Sequence, residues 1–190
     1  MRNRKSVMPL LLVVVVLATV FWILRRKSSP SSLAKSSRFG ESSHVRIGPP
    51  DIYPDSLHTP GAANPNITQD NIGETICNPR WSTKSIRPPT TYTNHLKGEQ
   101  IREYGYADNS LRDYEEDHLI PLELGGNPTD PRNLWPEPFE PSIPDGGARF
   151  KDKVENYLHV QVCQGSLTLG DAQKEISEDW YLVYTTSISH

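Results

Sequence analysis

The chain has 190 residues, 35% of them hydrophobic, and carries 20 Lys and Arg against 23 Asp and Glu, a formal charge of −3. That length allows one domain and not comfortably two. Six basic residues (Arg2, Arg4, Lys5, Arg25, Arg26 and Lys27) flank one apolar segment; without them 14 Lys and Arg face 23 Asp and Glu, a formal −9. Such a balance counts against tight nonspecific binding of nucleic acid over the whole surface, because that binding rests on cations that neutralise phosphates. A nucleic-acid reading therefore needs a local basic surface.

Residues 7–24, VMPLLLVVVVLATVFWIL, hold no charge. At about 1.5 Å per residue they span about 27 Å, close to a hydrocarbon core. No small-x-small cleavage site follows directly, since Arg25-Arg26-Lys27 comes next, so residues 1–27 read as a single-pass anchor rather than a cleaved signal. Basic residues stand at both ends, and Lys35 and Arg38 add to the second, so the positive-inside rule does not favour export. The only two cysteines, Cys77 and Cys163, suit one disulfide outside the cytosol, although two reduced thiols would look the same in sequence. The expectation is a membrane-tethered domain outside the cytosol, or a secreted one if the N-terminal segment is removed.

Residues 28–43 contain eight serines in sixteen positions, and 44–70 add prolines 49, 50, 54, 60 and 65 without steady periodicity. Residues 28–71 thus read as a Ser/Pro-rich, disordered or loosely packed linker, with a folded domain over 72–190. Asn66-Ile67-Thr68 fits a glycosylation acceptor, a pattern common by chance. Within the domain, residues 86–93 read as extended because of Pro88 and Pro89, and the spacing of Leu96, Ile101 and Tyr104 predicts a short helix over 94–104 ended by Gly105. Gly125-Gly126-Asn127-Pro128 is a turn signal, and Asn133-Leu134-Trp135 starts a short strand curtailed by Pro136. A helical stripe of Phe150, Val154, Tyr157, Leu158 and Gln161 predicts a helix over 148–163, and Thr168-Leu169-Gly170-Asp171 opens a second one as a capping box.

The chemistry gathers in YEEDHLIPLELGG, residues 114–126. A carboxylate at Asp117 is a hard ligand suited to Mg²⁺ or Mn²⁺ and tolerable to Zn²⁺. A neutral imidazole at His118 can take a proton from water near neutral pH. Adjacent strand residues point to opposite faces, so a pair acting together must sit at a bend or at the strand's end. Gly125 and Gly126 let the chain turn back, and an asparagine at position 133 would hydrogen-bond the loop and hold the histidine. On the helix from Ala148, Asp152, Asn156 and His159 recur at i, i+4 and i+7 and offer a further ligand set. Arg80, Lys84, Arg87, Lys97 and Arg102 precede this core and are candidates to hold a nucleic-acid backbone, though ordinary solvated surface is the more usual role for such a set.

DHLIPLELGG followed by NLWPE resembles the HNH endonuclease pattern of the His-Me finger (ββα-metal) superfamily. The longer run from TICNP to the KDKVEN helix is similar to small bacterial HNH endonuclease-like proteins over roughly residues 72 to 181. The resemblance implies an α+β fold with a ββα-metal core and flanking helices. It implies His118 as general base, Asp117 as metal ligand, Asn133 as the asparagine that steadies the loop, and Asn156, or else Asp152 or His159, as the helical ligand. The activity implied is metal-assisted hydrolysis of nucleic-acid phosphodiesters, of DNA in preference to RNA, with Mg²⁺, Mn²⁺ or Zn²⁺ and no organic cofactor. Two departures stand out: the Cys-x-x-Cys pairs of many such proteins are absent, so no structural zinc is expected, and the loop from Asn133 to the helix is long. The rival reading is a noncatalytic, membrane-tethered binding or structural domain that keeps the scaffold.

Overall fold

The computed structural model describes residues 50–189. The expected anchor and the serine-rich stretch lie outside the described residues, and among those described no helix is long and apolar enough to cross a membrane. The fold is α+β: helix α1 (Thr90–Glu103), strands β1 (Tyr114–His118) and β2 (Leu134–Pro138), then helices α2 (Ala148–Cys163) and α3 (Leu169–Ser187), with short 3-10 turns before α1 and between the strands.

The strands pair antiparallel, with Glu115 opposite Glu137, Asp117 opposite Trp135 and His118 opposite Leu134. Bonds from Phe139 N to Asp113 O (3.0 Å) and from Leu119 N to Asn133 O (2.8 Å) extend the ladder at both ends. They make the odd-numbered residues of β1 its hydrogen-bonded positions. Pro136, opposite Glu116, therefore falls where no ladder N–H is required, and β2 runs through it instead of stopping there. The even-numbered residues turn their carbonyls to the outer edges, and side chains satisfy three of them. Lys97 donates to Tyr114 O (2.8 Å), Lys151 to His118 O (2.9 Å), and Gln100 and Thr59 to Leu134 O (2.7 and 3.0 Å). A two-stranded ribbon is marginal by itself; here α1 and α2 secure it from both sides.

Helix α1 begins four residues before the expected start, with Pro89 as its N-cap residue. A proline restrains the residue before it, so Pro88 and Pro89 hold 87 and 88 extended while Thr90 is free to enter the helix. Helices α2 and α3 keep the expected starts, and Thr168 caps α3 by accepting from Asp171 N (3.1 Å). The main core lies between them: Val154, Leu158 and Val162 of α2 pack with Ala172, Ile176 and Trp180 of α3 and with Leu124 from the loop. Burying each large apolar side chain contributes about 1.5–3 kcal/mol.

Residues 50–71 correct the expected linker boundary. Ile52, Tyr53 and Ile67 belong to the same core. Trp180 Nε1 donates to Ile52 O (2.9 Å), and Tyr53 donates to Asp179 Oδ1 (2.5 Å). The proline-rich composition conceals isolated apolar anchors that need no period of their own, because they fill gaps on a surface made by others. Cys77 and Cys163 form a disulfide that ties the segment before α1 to the end of α2 across 86 residues, a closure of a size that stabilises by about 2–4 kcal/mol.

Candidate functional site

The site grows from the loop between the strands. Ile120 to Asn133 folds back so that Asn133, fully buried at the end of a 3-10 turn, bonds the loop on four sides. Its Oδ1 accepts from Ile120 N (3.0 Å) and Ala62 N (3.3 Å), and its Nδ2 donates to Ile120 O (2.9 Å) and Asn127 O (3.1 Å). Gly126 is fixed by the same closure, since a Cβ there would lie 1.7 Å from Ile120 O and 2.8 Å from Asn133 Nδ2. The loop so shaped brings Pro128 O to 3.0 Å from His118 Nε2. A carbonyl only accepts, so Nε2 carries the hydrogen, and in the neutral ring Nδ1 holds the free lone pair. Burial lowers the His118 pKa from its ordinary value; the bond to Pro128 and the charge of Asp117 oppose this, while Arg87 and Lys151 reinforce it. His118 is thus neutral at neutral pH and bears a lone pair on Nδ1.

Asp117, adjacent in sequence, turns toward α2. The Lys151 ammonium, 1% exposed, lies 2.6 Å from Asp117 Oδ2 and 2.5 Å from Glu155 Oε1, besides its bond to His118 O. Asp117's pKa is lowered: burial works against this, but the Lys151 charge and hydrogen bond outweigh it. Glu137, on the same sheet face, is fully buried, and neither carboxyl oxygen has a hydrogen-bond donor aimed at it. Burial and then the Asp117 charge push its pKa well up. Glu137 is thus held in its neutral form beside the Asp117 carboxylate. Glu155 is pushed up to about 8 by burial, with the Asp117 charge added, against the pull of Lys151. One ammonium serves three carboxyl groups, so they cannot all be ionised together.

Of the expected ligands, Asp152 is exposed but stays in the field of Asp117, which with burial raises its pKa. Asn156 does not join the site: it is exposed and its Nδ2 bonds Asp152 O in its own helix (2.7 Å). His159 turns instead to Ile76 O (2.9 Å) and Cys163 Sγ (3.4 Å) beside the disulfide. The helix therefore faces the sheet about one residue round from the expected side, with Lys151 and Glu155 in place of Asp152 and Asn156. A signal was available: Lys151 sits on the apolar stripe of Ala148, Val154, Leu158 and Val162, and a lysine on such a stripe needs a buried acid.

Among the basic candidates, Arg87 reaches the site, and its charge acts on His118, Glu115 and Asp152. Lys97 is buried and bonded to the edge of β1, and it lines the same groove as Arg87 and His118. Arg80, Lys84 and Arg102 are exposed, and none lines the groove of about 350 Å³ that runs between α1 and β1 with His118 and Arg87 in its wall. Arg112, Phe139, Glu116 and Glu137 were not singled out from the sequence; the first three line this groove.

Asp117 and Asp152 offer oxygens of the hard kind that a divalent cation takes, but Asp117 Oδ2 is held by Lys151 at 2.6 Å. The fit ends at two carboxylates. Among the described residues no three acid or imidazole ligand atoms converge here; the one such group is Cys77, His159 and Cys163, whose sulfurs are bonded to each other. The chain matches no protein-family model, no curated protein and no solved structure.

Proposed function

We propose that the domain hydrolyses phosphodiester bonds of nucleic acid, with His118 as general base. The observation that carries this reading is the His118–Pro128 bond, which commits Nε2 as a donor and leaves Nδ1 for the proton of a water. Asn133 acts through the loop and not on the substrate: it holds Ile120 and Asn127, and with them the carbonyl that orients the ring. Arg87, at the rim, is placed for a phosphate oxygen. A divalent cation, Mg²⁺ in the first instance, would be held by Asp117 with Asp152 beside it, the remaining ligands being water and phosphate. When bound it would stabilise charge on the phosphorus oxygens and the departing 3′ oxygen.

A second reading is favoured by the Lys151–Asp117 bond, which takes up one carboxylate oxygen of the expected ligand. On that reading the domain binds without catalysis. Cleavage of plasmid and single-stranded DNA in the presence of Mg²⁺, Mn²⁺ or Zn²⁺ decides between them. The parent protein should cut, and His118→Ala should reduce the rate by about 10²- to 10⁴-fold. Equal rates in the two proteins, or no cutting with any metal, would leave the binding reading.

A further inference from the structure

The groove beside His118 has a feature that phosphodiester chemistry does not require. Its outer wall carries Leu111 and Phe139, two of the four large hydrophobic side chains exposed among the described residues, at 42% and 44% exposure. Arg87 and Arg112 line the same groove, and Arg112 is shared with a neighbouring tyrosine-lined hollow. Cation, aromatic ring and reactive imidazole thus lie along one groove of about 350 Å³, within the size range of a small-ligand site and no larger than its lower part.

The ground on the far side of Phe139 differs in charge. A second hollow there, of about 680 Å³, shares Arg112, Tyr114 and Phe139 with the groove but is otherwise lined by Asp51, Asp108, Asp113 and Glu140 among its polar residues. The groove sets Arg87, Lys97 and Arg112 against Glu115 and Glu116, whereas the second hollow sets four acids against Arg112 alone, so phosphates favour the groove side of Phe139. A neutral base is not repelled, and it gains by stacking on an exposed ring, a contact worth about 1–3 kcal/mol per base. A paired base keeps its faces inside its own stack, and its partner strand brings a second row of phosphates that would meet the four acids. These two demands select an unpaired strand.

Resting on the hydrolase reading above, we infer that the substrate is single-stranded nucleic acid, with Phe139 stacking an unpaired base beside the scissile phosphate while Arg87 and Arg112 hold the backbone. The chain carries a net negative charge, and this arrangement confines phosphate contact to a short strip instead of a broad basic face.

Binding and cleavage are measured separately with the full chain. In EDTA, a fluorescein-labelled 12-nucleotide single strand should bind at least about tenfold tighter than a hairpin duplex of the same sequence. Phe139→Ala should weaken the single strand by roughly 5- to 160-fold, the span of one lost stacking contact, leave the duplex unchanged and leave the thermal unfolding curve in place; Phe139→Trp should restore binding. Arg87→Ala and Arg112→Ala should weaken both forms and flatten the salt dependence. Equal affinity for the two forms, or a Phe139→Ala protein that binds like the parent, overturns the inference. Metal-activated cleavage that ignores strandedness and Phe139→Ala overturns it while the hydrolase reading stands. A single-strand preference that depends on Phe139, with no cleavage under any metal, supports the groove assignment and removes the hydrolase reading.

Discussion

On the loop side of the β1 terminus, Asn133 makes four hydrogen bonds and each is to a backbone group with no charge at stake. On the α2 side, Lys151 faces Asp117 and Glu155 directly, and Glu137 waits behind them with no donor of its own. Both centres are buried and both grip the last residues of the same strand. The first is closed: every polar atom it contributes has a partner. The second holds more acid than base and stays in balance only by keeping protons on carboxyl groups that would ordinarily have lost them. A closed network fixes a shape, whereas an under-compensated one stays responsive to ions, pH and ligands. The difference separates what holds His118 in place from what could change its surroundings.

The largest expected effect comes from unbalancing the second centre. Lys151→Met removes the ammonium bonded to Asp117 and should cost about 3–5 kcal/mol in urea unfolding, because a largely buried carboxylate is left uncompensated. Adding Asp117→Asn to Lys151→Met should recover most of that loss. Glu137→Gln alone should change stability by less than about 1 kcal/mol, since the glutamate already behaves as a neutral group. If Glu137→Gln costs as much as Lys151→Met, the acids are ion-paired one for one and the contrast with Asn133 disappears.

Asn133→Ala comes next, with an expected loss of about 2–4 kcal/mol from the stranded groups of Ile120, Ala62 and Asn127. It should also lower activity by loosening the Pro128 carbonyl, and amide exchange should accelerate over the loop. An alanine variant with unaltered exchange there would show that the loop is held by its glycines and apolar contacts instead.

The two centres also differ in how far they were legible in the chain. Asn133 and His118 followed from local pattern, because a strand, two glycines and a returning asparagine leave few ways to close a loop. The start and length of α2 followed from its periodicity, but its azimuth did not. A rotation of one residue exchanges Asp152 and Asn156 for Lys151 and Glu155, and the choice is made by an ion pair to Asp117 more than thirty residues earlier in the chain. The roles of Ile52 and Tyr53 were hidden for a similar reason: isolated apolar residues among prolines declare themselves only when α3 is in place to receive them. Arg87 was one of five basic candidates of equal standing in sequence, and only the fold separates it from Lys97, which is spent on the edge of β1.

The last prediction tests the groove side of β1. Glu116 lines the groove, its carboxyl oxygens have no hydrogen-bond partner, and its pKa is pushed up from 4.5 to about 8, by burial first, with Lys97 opposing and Asp117 reinforcing. Between those two pH values the unfolded chain has released a proton that the folded chain keeps, so unfolding releases protons and the contribution of Glu116 to stability falls as pH rises from about 5 to about 8. His118 acts in the opposite sense in the lower part of that window, since its depressed pKa makes the unfolded chain the stronger proton binder there. Asp117, also depressed, exerts its effect below 3.8 and so outside the window. Urea midpoints at pH 5, 6, 7 and 8 for the parent and Glu116→Gln contain the His118 contribution in common, and their difference isolates Glu116. The glutamine variant should gain on the parent steadily toward pH 8. Parallel curves would mean that Glu116 finds a compensating cation, and the groove floor would then carry a negative charge against the phosphates it is proposed to receive.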